Sequence, residues 1–111
     1  MKVHDEIDGW RLTLHDGFVQ LIQIDFTLRL LVADSTGEAN LCVEAPCRLV
    51  GPNTDVLLVP ETASTLAPIL PFFFAKVIGL SIRKTGQLRL EFKEGFLLEV
   101  GPDEKYEAWQ L

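Results

Sequence analysis

Between Ile78 and Val100, apolar and polar positions alternate in three short runs. Ile78, Leu80 and Ile82 alternate with Gly79, Ser81 and Arg83. Leu88, Leu90 and Phe92 alternate with Gln87, Arg89, Glu91 and Lys93. Phe96, Leu98 and Val100 enclose Leu97 and Glu99. Successive side chains of a strand point to opposite faces, so each run predicts a strand with one apolar and one more polar face. Thr85-Gly86 and Glu94-Gly95 separate the runs. There a hairpin needs a positive φ, which glycine reaches without a Cβ clash. A slip of one residue would carry Arg89, Glu91 and Lys93 into the core, so the register is strongly specified. Gly101-Pro102-Asp103 ends the meander, because proline cannot donate to a sheet ladder.

Upstream, Trp10, Leu12 and Leu14 alternate with Arg11 and Thr13 and predict a first strand, with His15-Asp16-Gly17 as a turn. Phe18 to Asp25 is apolar on much of both faces, which suits a central strand. Phe26, Leu28, Leu30 and Val32 continue the alternation. Asp25 shows no turn chemistry, so residues 18–33 read as one bent strand or as two with a bulge. Ser35-Thr36-Gly37-Glu38 predicts a hairpin turn before a strand over residues 39–44. Pro46 then suggests an edge position or a bulge before the next strand. Gly51 to Asp55 reads as a surface loop and Val56–Val59 as a short strand.

Residues 60–74 are the one helix candidate. Ser64 or Thr65 would cap it, Leu66, Ile69 and Leu70 would share a face, Pro68 would sit in the first turn, and Pro71 would end or kink it. At least two of the rings of Phe72, Phe73 and Phe74 should reach the core. Residues 1–8 have little to bury and should be loosely held. The expected fold is α+β in a single domain, 1–111. It is mainly antiparallel β-sheet, six or seven strands in a meander curled toward a half-barrel, with one helix packed on it.

Charge narrows the partners. The net charge is -6. That argues against a nucleic-acid backbone, whose affinity comes mainly from Lys and Arg neutralising phosphates, and against an anionic membrane surface. No apolar run approaches the roughly 20 residues of a membrane span. The acidic start, MKVHDEIDGW, lacks an apolar signal region, which points to the cytoplasm. Cys42 and Cys47 are five residues apart. Extended chain of that length spans about 16 Å, beyond the roughly 7 Å limit for a disulfide, so two reduced thiols are expected unless Ala45-Pro46 turns the chain sharply.

Chemistry-bearing motifs are few. His4 lies in the N-terminal stretch, and His15 beside Asp16 reads as a solvated turn residue. Metal-ligand spacings and phosphate-binding glycine patterns do not occur, so neither a metal nor a cofactor is expected. Glu91 and Glu99 fall on one strand face, where cross-strand ion pairing near Arg89 and Lys93 accounts for them. The aromatic tail is more distinctive. Tyr106, Glu107 and Trp109 sit where chain ends usually fray, so they must be anchored or used. One reading has Trp109 latching onto the first strand, near Trp10, with Glu107 accepting a loop hydrogen bond or pairing with Arg11. The other makes Tyr106 and Trp109 interface anchors.

The arrangement of Trp10, Gly17, the run Gly86-Gln87-Leu88-Arg89-Leu90-Glu91-Phe92-Lys93-Glu94-Gly95 and the closing Tyr106-Glu107-Ala108-Trp109 resembles an uncharacterised family of small bacterial domains. The resemblance implies no activity. Some members look similar to small immunity proteins that neutralise bacterial toxins. The first functional expectation is therefore a non-enzymatic protein-binding module, immunity-like, meeting a partner with a basic surface. The alternative is a small-molecule binder or enzyme with a pocket between the helix and the sheet. Homodimer formation through an edge strand near Pro46 is a third possibility.

Overall fold

The computed structural model describes residues 1–102 and the backbone of Trp109 and Gln110. Its strands are β1 (Lys2–Glu6), β2 (Gly9–Ile24), β3 (Leu28–Asp34), β4 (Gly37–Val43), β5 (Cys47–Gly51), β6 (Thr54–Leu58), β7 (Lys76–Arg83), β8 (Leu88–Phe92), β9 (Leu97–Val100) and β10 (Trp109–Gln110). They form one antiparallel sheet that does not close. Its order is β10-β4-β3-β2-β7-β8-β9-β5-β6, with β1 paired to β2 beside this path. The path holds nine strands rather than the six or seven expected. β5 and β6, on either side of the expected surface loop, form a hairpin around Pro52-Asn53, and β10 adds a two-residue rung to β4.

Alternation sets the core. Leu28, Leu30 and Val32 of β3, Leu88, Leu90 and Phe92 of β8, and Leu98 and Val100 of β9 are buried in one cluster with Leu41, Val43, Leu49 and Leu58. That cluster draws on strands from both ends of the path, so the sheet curls around it. Each such Leu or Val contributes roughly 1.5–3 kcal/mol on burial, and the register holds because a slip would expose them all. The meander expected over residues 78–100 is present as β7, β8 and β9. Its first strand departs in one respect: the register with β8 shifts between Val77 and Gly79, so Val77 and Leu80 are buried while Ile78 is exposed.

Local expectations are settled or corrected at three places. β2 runs uninterrupted through His15-Asp16-Gly17, which had read as a turn. Asp16 adopts φ 55°, and the register with β7 shifts between Thr13 and Gly17, so the strand bulges and bends there. Residues 18–33 are divided between β2 and β3, with a turn at Asp25-Phe26-Thr27 and a further bulge between Val19 and Leu21. Asp25 supplies turn chemistry after all: its carboxylate accepts from Thr27 Oγ1 and, at 3.1 Å, from Gln23 Nε2, while Phe26 takes φ 64°. The helix is a 3-10 helix, Ala63–Phe72, and contains both Pro68 and Pro71. Thr62 occupies its N-cap without a side-chain bond; Thr65 Oγ1 instead accepts from the Val59 amide at 2.8 Å and meets the carbonyls of Val59 and Thr62.

Leu66 and Ile69 are fully buried and fill the space between this helix and the sheet. Phe72 packs on Phe92 and Phe96, with centroids at 4.6 and 5.3 Å, but Phe73 and Phe74 are exposed. The chain turns back at Phe74, whose N–H donates to the Val19 carbonyl, and this leaves those two rings outside. Residues 1–8, expected to be loosely held, include β1, which pairs with β2 from Lys2–Thr13 to Glu6–Gly9. The Asp34 carboxylate accepts from the amides of Thr36 and Gly37 at 2.8 and 3.0 Å, closing the β3–β4 hairpin, and meets the Met1 ammonium at 2.9 Å. Among the described residues no helix is long and apolar enough to cross a membrane.

Candidate functional site

The outer face of the sheet carries a charged row. Arg11 of β2 faces Ser81 of β7, Ser81 faces Arg89 of β8, Arg89 faces Glu99 of β9, and Glu99 faces Arg48 of β5. The period of two along each strand puts these side chains on one side. Arg11 does not stop at its neighbour. It reaches across β7 to Glu91 of β8: Nη1 donates to Glu91 Oε1 at 3.0 Å and Nη2 to Oε2 at 2.7 Å, while Nη1 also donates to Ser81 Oγ at 3.0 Å.

Gly79 makes that reach possible. A Cβ there would lie 3.0 Å from Arg11 Nη2, 3.3 Å from Arg11 Cζ and 3.1 Å from the Leu12 carbonyl oxygen. The missing side chain leaves a trough over β7 in which the guanidinium lies. The Arg11 hydrogen bond holds the Glu91 carboxyl below the usual carboxylate range, against the opposing effect of partial burial. The same bond raises Arg11 further.

Beside this pair lies a half-open cleft of about 640 Å³ between the β1–β2 hairpin and the β7–β8 strands. Its volume falls in the range of ligand-binding clefts. Asp5, Glu6, Ile7 and Asp8 line the hairpin side, Ser81, Ile82, Arg83, Arg89 and Glu91 the sheet side, with Gly9, Trp10 and Arg11 at the junction. The Lys84 amide donates to the Asp8 carbonyl at 2.7 Å, tying the two hairpin tips together and fixing the width of the mouth. Ile7 is 93% and Trp10 45% exposed, both large apolar side chains at the rim. Arg89 is held loosely: its Nε lies 3.7 Å from Glu99 Oε1 and makes no hydrogen bond, and its charge also helps to lower Glu91.

The residues singled out in the sequence distribute unevenly over this site. Trp10 lines the cleft. Tyr106 and Glu107 lie outside the described residues. The Trp109 backbone pairs with Val43 of β4, in a row that continues through Leu28 to Ile24, at the far end of β2 from Trp10. Arg11, considered as a partner for Glu107, is occupied by Glu91 and Ser81. Of the two strand carboxylates, Glu99 meets Arg89, whereas Glu91 turns to Arg11. His15 is exposed beside Asp16, 3.6 Å away. Cys42 is half-buried and Cys47 buried, both as free thiols, and burial pushes the Cys47 thiol up to about 12.

Sequence reasoning missed the cleft because its acidic wall belongs to a stretch read as loose, and because the Arg11–Glu91 pair skips a strand. Gly79 was the available signal: a glycine inside a strand pattern, with no turn to explain it, marks a close approach.

The profile of the family of unknown function DUF6188 matches residues 10–111. The chain belongs to that family. The DUF6188 match begins at Trp10, so it contains the sheet side of the cleft but not Asp5, Glu6 and Asp8 of the hairpin. No curated protein and no solved structure matches the chain.

Proposed function

We propose that this protein is a cytoplasmic, non-enzymatic binding module that grips a basic segment of another protein in the cleft beneath its first hairpin. The observation that carries this reading is the composition of the hairpin wall. Asp5, Glu6 and Asp8 stand beside two exposed apolar side chains, Ile7 and Trp10. Carboxylates at a rim steer and orient a basic partner, and an aromatic ring at the centre of a contact is the usual source of its affinity. Glu91 is held ionised by Arg11 and is poorly suited to proton transfer near neutrality, which favours binding over catalysis. A toxin with a basic surface is one such partner, and this is the immunity-like form of the reading.

The test is calorimetric titration of the protein with an arginine-leucine peptide and with a glutamate-leucine peptide of equal length, at low and high salt. The arginine peptide should bind, more weakly at high salt, and Asp5→Asn combined with Asp8→Asn should weaken it. Equal affinity for the two peptides, or none for either, would contradict the proposal.

A further inference from the structure

The two walls of the cleft carry opposite charge. The hairpin presents Asp5, Glu6 and Asp8, and the sheet presents Arg83 and Arg89. Arg11 is not part of this contrast, since its charge is paired with Glu91. Arg83 makes no side-chain ion pair or hydrogen bond among the described residues, and Arg89 meets Glu99 loosely, at 3.7 Å, with a weaker electrostatic pull on Glu91, whose main partner is Arg11. Ile7, 93% exposed at the hairpin tip, supplies an apolar rim.

A purely basic segment would satisfy the hairpin and set its remaining cations against Arg83 and Arg89, and like charges facing each other in a contact are costly. The planar guanidinium fork matches a carboxylate, which it binds through two parallel hydrogen bonds. We propose that the segment bound in the cleft is dipolar, with a basic side chain against Asp5, Glu6 and Asp8 and a carboxylate against Arg83 and Arg89. This rests on the reading of the cleft as a protein-binding site. The carboxylate has two sources, an acidic side chain or the free end of the partner chain.

Three acetylated peptides with one arginine-leucine core separate these cases by calorimetry on the full chain. One ends in an amide, one ends in an amide and carries a glutamate two residues after its last arginine, and one ends in a free carboxylate. A carboxylate in the right place should tighten binding by about tenfold. Whichever of the last two peptides gains identifies the source. Arg89→Gln should remove the gain and leave the carboxylate-free peptide unchanged within about twofold, and Arg83→Gln, at an exposed position, should reduce it. Equal affinity for all three peptides would overturn this inference while leaving the capture of a basic segment standing. No binding by any of them would sink both.

Discussion

Arg11 on β2 and Glu91 on β8 form a two-pronged ion pair across the strand between them, at 3.0 and 2.7 Å, over the bare backbone of Gly79. The pair binds three strands laterally at one side of the cleft. Paired carboxylate–guanidinium forks are the stronger class of ion pair, but this one is partly open to water, so its coupling should be about 1 kcal/mol. A double-mutant cycle with Arg11→Gln and Glu91→Gln measures it. Gly79→Ala should lower that coupling, because the new Cβ would occupy the guanidinium's trough. The pH dependence has a definite sign. Glu91 is depressed in the folded protein, so its contribution is present above the unfolded carboxylate value of about 4.3 and is lost as pH falls through the folded value. Glu91→Gln should flatten the acid limb of the stability curve. An unchanged acid limb would show that the pair does not stabilise the fold.

Phe26 offers a stabilising change. It sits in the β2–β3 turn at φ 64°, and 81% of its surface is exposed. A bulky residue in the left-handed region is strained by roughly 1–2 kcal/mol, and little apolar burial offsets that here. Phe26→Asn should raise the unfolding free energy in urea by about 0.5–1 kcal/mol, since asparagine tolerates this conformation. A loss of similar size would mean that the exposed ring makes stabilising contacts.

These two sites show how far the sequence could be read. The meander of β7, β8 and β9 was legible because its alternation and its glycine turns agree. The β2–β3 turn was not, because a phenylalanine rather than a glycine takes the positive φ, and Asp25 looks like one more polar strand position until its bonds to Gln23 and Thr27 are seen. The bend at Asp16 had the reverse fault: His15-Asp16-Gly17 has turn chemistry, but the pairing with β7 resumes at Gly17 and carries the strand through. The cleft stayed hidden because it depends on long-range register. Nothing local says that residues 5–8 line one cleft with residues 81–91, or that Arg11 would choose a carboxylate two strands away over its neighbours.

The thiols should differ in reactivity. Cys47 is buried on β5 with its pKa pushed up to about 12 by that burial, whereas Cys42 is half-buried on β4. Thiolate is the reactive form, so at pH 8 Cys47 should be inert to a disulfide reagent in the native protein. Titration without reductant should find at most one reactive group before unfolding and two after it. Rapid reaction of Cys47 in the native protein would show that the β5 region opens readily. No reactive group after unfolding would show a disulfide.

The most direct test of the binding account is to map the site on the protein itself. In amide-resolved NMR spectra of the labelled full chain, titration with the arginine-leucine peptide should shift residues 5–11 and 81–91 first, together with the Trp10 indole. The exposed rings of Phe73 and Phe74, on the opposite side of β2's bend, should stay in place. Shifts centred on residues 73–78, or spread evenly over the acidic surface with no effect on Trp10, would contradict the claim that the cleft beneath the first hairpin is where this protein meets its partner.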